Sequence, residues 1–336
     1  MAKTSRDLIR LSASGLIGPD DLFQIDSWGR SDINLVTHAH SDHARVGSKE
    51  YWCVDSCAPI LRHRLGQDIK LRTFQYGETT KIGNSWVSFH PAGHILGSAQ
   101  VRVENGSDVW VFTGDFKRDL DPTCAPFEVV ECDTFITEAT FALPIYSWQP
   151  MSQTAREIMD WVDVCKREGL TALLFCYSLG KAQRVLAEIK DLIQDEVLLH
   201  GAMVNLTQIY RDQGVAMAKT ISAAEFSGDP VGRLVLAPPA AHRSPWMKRF
   251  KSVSTGFASG WMAIRGVRRR RGYERGFVIS DHADWKSLVT TIEETKASRI
   301  LVTHGDGETF ARYLRETRGL NSQPLKTQFS EEEEGT

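Results

Sequence analysis

Three histidines and an aspartate fall within six residues in the segment Thr37-His38-Ala39-His40-Ser41-Asp42-His43 of a chain that holds ten histidines. His38 and His40 are two residues apart, so in extended chain their side chains point to the same face and can share one ion. Asp42 and His43 follow where the chain must turn, and can face a second ion. Imidazole combined with carboxylate suits Zn²⁺ or Mn²⁺ better than Ca²⁺ or Mg²⁺. Four residues do not close two sites, so further ligands are expected downstream. Three metal-competent residues stand in turns directly after strand-like runs, each close to glycine. They are His94 in Pro91-Ala92-Gly93-His94, Asp115 in Thr113-Gly114-Asp115, and His304 in Val302-Thr303-His304-Gly305.

The elements that must position these residues can be read from periodicity. Short apolar runs at 33–36, 86–89, 109–112 and 135–136 read as strands separated by polar or glycine-containing turns. The texture changes after Pro150. Ala155, Ile158, Met159, Val162 and Cys165 make one helical face over residues 152–168, with Ser152 as the expected N-cap. The run 172–176 reads as a buried strand. The loop Tyr177-Ser178-Leu179-Gly180 then opens a second helix at Lys181, the order of a parallel α/β unit. Strands at 276–279 and 300–302, with a helix over about residues 284–296 between them, close the chain.

The chain has 336 residues, 42% of them apolar and 24% charged, a composition that can bury a large core without disulfide staples. Its six cysteines form no C-x-x-C pair, so a zinc ribbon is not expected and buried thiols in a reducing compartment are. No apolar leader and no bilayer-length run is evident, which points to a cytoplasmic protein without a membrane partner. With a net charge of −2, a nucleic-acid binder must concentrate its positive charge locally. Arg265, Arg268, Arg269, Arg270, Arg271 and Arg275 do so, with Lys248, Arg249 and Lys251 just before them. The acidic run Glu331 to Glu334 reads as a solvated tail over residues 331–336.

The H-x-H-x-D-H cluster with a later His, Asp and His resembles the metallo-β-lactamase superfamily. That resemblance implies an α/β fold, the αβ/βα sandwich. It assigns His38, His40 and His94 to one divalent transition-metal ion, Zn²⁺ or Mn²⁺. Asp42, His43 and His304 would hold a second, and Asp115 would bridge them. Asp32 matches the family's first acidic position, where it would support the ligand loop as an outer carboxylate. Three further segments resemble the motifs of the β-CASP nucleases: Thr137-Glu138-Ala139-Thr140-Phe141, Ile279-Ser280-Asp281-His282-Ala283-Asp284, and Val302-Thr303-His304-Gly305. The long stretch between Glu138 and His282 has room for the inserted β-CASP domain. The expected boundaries are 1–147 with 275–330 for the metal-binding domain and 148–274 for the insert.

Within the insert, Ser178-Leu179-Gly180-Lys181-Ala182-Gln183 looks like the family's loop that approaches the nucleic-acid backbone. A helix N-terminus favours a phosphate, and Ser178 and Lys181 would add a hydroxyl and a cation. Arg268 and Arg269 are expected on a backbone-tracking surface. Trp246, Phe257, Trp261 and Tyr273 could stack bases.

Residues 3 to about 325 resemble the bacterial ligase-associated DNA exonucleases, which implies a DNA-repair nuclease beside a ligase and a helicase. The chemistry implied is two-metal activation of water against a phosphodiester, with His282, oriented by Glu138, as proton donor. Two departures keep RNA open as the alternative. His304 is the residue found in the RNA-cutting members, and Ala139 stands where serine is common. A lactonase or esterase would lack the insert and the first two motifs. A metal-free scaffold would lack ligands.

Overall fold

The computed structural model of the protein describes residues 7–327, with the side chains of residues 267–269 outside that description. The expected acidic tail, residues 331–336, lies outside it too. The chain divides into two compact units. One comprises the segment ending at Leu120, Cys124–Pro144, and the segment beginning at His282. The other comprises Asp121–Thr123 and Ile145–Asp281. The span 148–274 expected for the insert lies wholly in the second.

The first unit holds two sheets. A six-stranded sheet runs in the order Arg10–Ser12, Gly15–Ile17, Gln24–Ile25, Ile33–Leu35, Glu50–Val54, Leu71–Phe74. Its last four strands are parallel. A seven-stranded sheet has the order Asn321–Pro324, Arg299–Thr303, Thr134–Glu138, Asp108–Phe112, Ala99–Asn105, Ser85–Pro91, Thr79–Ile82. Its centre is parallel, and its strands Thr134–Glu138 and Arg299–Thr303 are fully or almost fully buried, as strands covered on both faces are. The helices Trp285–Glu294 and Gly307–Arg318 pack Leu288, Ile292, Phe310 and Leu314 onto Phe135 and Ile300 of this sheet. The two sheets are tied directly at the ligand loop, where Ala99 N–H donates to the Thr37 carbonyl at 2.8 Å.

The second unit holds a sheet that is parallel throughout, in the order Thr220–Ser222, Val197–Leu199, Leu234–Ala237, Thr171–Phe175, Val253–Ala258, Arg275–Phe277. Thr171–Phe175 is buried along its whole length, as its unbroken apolar run requires. The helix Met151–Arg167 buries Ala155, Ile158, Trp161, Val162 and Cys165 on one face. Ser152 is not its cap, and that expectation is corrected. Pro150 holds the N-cap position, and Ser152 lies exposed inside the first turn. Pro150 takes the cap with φ −53° and ψ 132°, so the helix starts two residues before a Ser152 cap would start it. Among the described residues no helix is long and apolar enough to cross a membrane.

Candidate metal centre

His38, His94, Asp115, Glu138 and His304 stand at or just past the ends of strands in the first unit. Past the strand Ile33–Leu35, the backbone N–H of Thr37 donates to Asp26 Oδ1 at 2.7 Å and its hydroxyl to Asp26 Oδ2 at 2.5 Å. Asp26 follows the strand Gln24–Ile25 with φ 46°, a left-handed turn that aspartate tolerates better than most residues. Its Oδ2 also lies 2.7 Å from His43 Nδ1, so the other ring nitrogen, Nε2, is turned into the site. The N–H groups of His43 and Ala44 both bond the His40 carbonyl, and that turn brings Asp42 beside His43. Arg64, from the helix Ala58–Leu65, closes the loop by donating to the Ala39 carbonyl.

Two groups of donors result. His38 Nε2 and His94 Nε2 each lie 3.1 Å from His40 Nδ1, and Asp115 Oδ2 is 3.5 Å from His38 Nε2. Asp42 Oδ2 is 3.4 Å from His43 Nε2, and His304 completes that group. The other oxygen of Asp115, Oδ1, is 3.5 Å from His43 Nε2, so one carboxylate faces both groups. Within each group the ligand atoms lie within 4.8 Å of one another. Tetrahedral nitrogen ligands about 2.0–2.1 Å from zinc would be separated by roughly 3.3–3.4 Å. The imidazole spacings at His40 are close to that, so the first group fits one ion.

The electrostatics fit a cation as well. Burial alone would raise Asp115, but the imidazoles of His43, His282 and His38 hold it well below the usual carboxylate range. Burial pushes His38 well below the usual imidazole range and lowers His304, which keeps both neutral and able to coordinate. For His43, burial opposes the charge, but Asp42, Asp115 and Asp26 together raise it well above. A preference for a proton there marks a site short of positive charge. Asp26, Asp115 and Glu138 are nearly or fully buried, and buried carboxylates need counter-charge of the kind divalent ions bring.

His304 and Gly305 are both left-handed, at φ 54° and 56°. A Cβ on Gly305 would sit 2.1 Å from the Ala139 carbonyl oxygen, so only glycine fits. The Thr303 hydroxyl lies 3.0 Å from His304 Nδ1. His282, half-buried, places Nδ1 2.7 Å from Glu138 Oε2, while Glu138 Oε1 accepts the Phe116 N–H at 2.8 Å. The His282 ring centroid is 4.8 Å from that of His94, which puts the His–Glu pair on the rim of the first donor group. Asp115, Glu138 and His282 themselves form a third cluster of metal-competent groups.

Other expected residues fall elsewhere. Asp32 does not support the ligand loop. Its side chain is 76% exposed and pairs with Lys49 at 2.7 Å. The supporting carboxylate is Asp26, which sequence reasoning missed. The signal was present as an aspartate directly after the alternating segment Phe23-Gln24-Ile25, but Asp32 lay nearer the histidines in sequence. Lys181 is not a cation open to a phosphate. It is 1% exposed, with Nζ 3.7 Å from Asp281 Oδ2 and 4.9 Å from the Tyr177 ring centroid, because a buried ammonium requires a counter-charge. The helix start at Gly180 also spends its own donors. Gly180 N–H bonds Gln183 Oε1, and Ala182 N–H bonds the Tyr177 carbonyl. Ser178 is half-buried, its carbonyl accepting from Gln183 Nε2. The side chains of Arg268 and Arg269 lie outside the described residues, although the helix Arg265–Arg270 carries them. His90 pairs with Ser88 and Glu128.

No protein-family profile matches the chain. Curated proteins do. A probable DNA ligase of Opitutus terrae is 32% identical over 311 residues, covering 92% of this chain and 30% of that protein. An RNase J-like protein of Methanocaldococcus jannaschii is 24% identical over 208 residues, covering 53% and 49%. Endoribonuclease YSH1 of Eremothecium gossypii is 27% identical over 161 residues, covering 47% and 20%. The chain thus spans half or less of each of these relatives. With the ligand loops and the two α/β units now placed, these likenesses identify the chain as a member of the metallo-β-lactamase superfamily, in its β-CASP group.

Proposed function

We propose that the protein is a metal-dependent phosphodiesterase that degrades nucleic acid, DNA in preference to RNA, as an exonuclease of DNA repair. The observation that carries this reading is the convergence of His38, His40, His94, Asp115, Asp42, His43 and His304 into two adjoining donor groups, with the His282–Glu138 pair on their rim. We assign the metal centre to the segment ending at Leu120, Cys124–Pro144 and the segment beginning at His282, and the β-CASP insert to Ile145–Asp281 with Asp121–Thr123, so that residues 121–123, 145–147 and 275–281, expected with the metal centre, go to the insert.

Two divalent transition ions, Zn²⁺ or Mn²⁺, would supply Lewis acidity and lower the pKa of water at this site. His38, His40 and His94 would hold one and Asp42, His43 and His304 the other, with Asp115 shared. Asp26 keeps His43 in the tautomer that presents Nε2. Glu138, anchored by the Phe116 N–H, orients His282 through Nδ1, and in the imidazolium form of His282 the outward Nε2 carries a proton to deliver. Water adds to phosphorus and gives its proton to solvent, the P–O bond to the leaving nucleotide breaks, the His282 Nε2 proton neutralises the departing oxygen, and His282 is reprotonated from solvent. In the insert, Arg268 and Arg269 would follow the phosphate backbone and Ser178 would add a hydroxyl contact.

DNA is favoured because the likeness spanning 92% of this chain is to a protein named as a DNA ligase. A DNA ligase is the partner this suggests, and the resemblance to the ligase-associated exonucleases adds a helicase of the same repair pathway. RNA cleavage is the second reading, supported by the RNase J-like and endoribonuclease relatives. The test is cleavage of end-labelled single- and double-stranded DNA and matched RNA with Mn²⁺, Zn²⁺, Mg²⁺ or chelator, using the protein and its His40→Ala variant. Metal-dependent DNA degradation that the variant lacks is expected. Cleavage of RNA with DNA left intact would move the protein to the second reading. No cleavage of either polymer with both ions bound would end the nuclease reading.

A further inference from the structure

Residues 278–284 join the strand Arg275–Phe277 to the helix Trp285–Glu294 and belong to neither. No ladder and no helical turn fixes their path, so it depends on what other residues bond to them. His282 stands in this segment. Its ring must be placed well if its proton is to reach a departing oxygen, since a misplacement of about 1 Å costs on the order of 10²-fold in rate. After the ring, the anchors are backbone and cap. Ala283 N–H donates to the Phe116 carbonyl at 2.7 Å, and Asp284 accepts the Ser287 N–H at 2.8 Å. The ring itself is held at Nδ1, 2.7 Å from Glu138 Oε2.

Before the ring, the anchors are two buried cations. Arg184 Nη1 donates to the Ser280 carbonyl at 2.8 Å and lies 4.0 Å from Asp281 Oδ1. Lys181 Nζ is 3.7 Å from the other oxygen of that carboxylate, Oδ2. Lys181 and Arg184 are three apart on the helix Lys181–Glu188, so they leave it from one face. Arg184 is itself fixed from behind. Its Nε is 3.2 Å from Asp121 Oδ2, while Asp121 Oδ1 accepts the N–H and the hydroxyl of Thr123 at 2.9 and 2.6 Å. Lys181, Arg184, Asp121, Ser280 and Asp281 are all buried. Enclosed ion pairs of this kind often stabilise a fold no better than apolar side chains of the same volume. What these pairs do supply is a fixed path for Ser280 and Asp281, the two residues that lead into His282.

We propose that Arg184 and Lys181 are positioning residues for the proton donor, setting where the His282 imidazole stands by holding the Ser280 carbonyl and the Asp281 carboxylate. It rests on the proton-donor role given to His282 above. The step served is transfer of the Nε2 proton to the bridging oxygen as the P–O bond breaks and its electron pair goes to that oxygen. Neither cation is open to substrate, so both act through the chain that carries the ring.

The test compares two sets of DNA oligonucleotides with the full chain loaded with Mn²⁺ (RNA ones if the parent cuts only RNA). The sets are alike except that sulfur replaces the bridging oxygen in one, at the 3′ or the 5′ side to cover both polarities. A thiolate leaves without a proton, so losing the proton donor does not slow that set. Arg184→Lys keeps the charge and loses the guanidinium fork. It should lower kcat on the oxygen-bridged DNA about 10–100-fold with KM unchanged, and leave the sulfur-bridged rate near that of the parent. Metal content and unfolding midpoints would show that the variant is loaded and folded. If it does not fold, Lys181→Met decides by the same two rates. Equal losses on the two sets would overturn the proposal, because a network that only supports the fold or the metal loops slows both. No loss on either would overturn it too. His282→Ala separates the two readings, since it should slow the oxygen-bridged DNA alone. If it slows both sets equally, the proton-donor role falls and this proposal with it. If only His282→Ala discriminates, the role of Arg184 and Lys181 falls by itself. A parent that cuts neither set would remove the nuclease reading.

Discussion

A carboxylate held under an imidazole decides which ring nitrogen is left for a metal. Asp26 does this for His43 while taking both the N–H and the hydroxyl of Thr37, so one buried side chain sets the tautomer and the path of the ligand loop. Asp26→Asn should lower metal affinity about 10–100-fold, read by metal titration, while Asp32→Asn leaves it unchanged. Equal effects from the two substitutions would remove the role assigned to Asp26. His282 is a separate case, because its Nδ1 lies 2.7 Å from Glu138 Oε2. His282→Ala should keep the metal content and lower turnover by about 10²–10⁴-fold. Full activity in that variant would end its role as proton donor.

At the scale of elements, ligands at strand ends gain rigidity from the ladder behind them, and the turn beyond each strand aims them. Arg299–Thr303 shows what this requires. The chain must pass through two left-handed residues, His304 and Gly305, pressed against the Ala139 carbonyl. Gly305→Ala should cost about 2 kcal/mol or more in denaturant unfolding and loosen metal binding with it. A variant as stable as the parent would show that the turn can relax. In the second unit, the helix Lys181–Glu188 is anchored by charge. Arg184 Nε is 3.2 Å from Asp121 Oδ2, and its Nη1 donates to the Ser280 carbonyl at 2.8 Å. Both partners in the ion pair are nearly dry, with side-chain exposures of 5% and 2%. Arg184→Ala should therefore destabilise the protein by about 3–5 kcal/mol, since it strands a buried carboxylate. A loss below about 1 kcal/mol would mean that water reaches Asp121.

For the molecule as a whole, the consequence of clustered buried carboxylates is that metal and fold are linked. Any ion that binds only the folded chain stabilises it, by about 2.7 kcal/mol per site when its concentration is a hundred times its Kd. Chelation should lower the thermal unfolding midpoint. Acidification should do the same, because ligands must lose protons to bind and affinity falls as pH falls. Identical unfolding with and without chelator, at saturating metal, would contradict this linkage.

What the sequence by itself determined was local. The histidine cluster, the strands that precede His94, Asp115 and His304, and the strand–loop–helix order after Pro150 all follow from spacing, periodicity and turn residues within short windows. The strand at Arg299–Thr303 and the helix at Trp285–Glu294 lie within a few residues of where periodicity puts them. Only the tertiary structure decided which carboxylate stands under His43, that Lys181 is enclosed by Asp281 rather than open to a phosphate, and that Arg184 takes the Ser280 carbonyl two residues before His282. The physical reason is the same in each case. Burial and ion pairing are set by contacts between residues distant in the chain, and a residue's type does not say whether folding will bring it a partner or leave it to water.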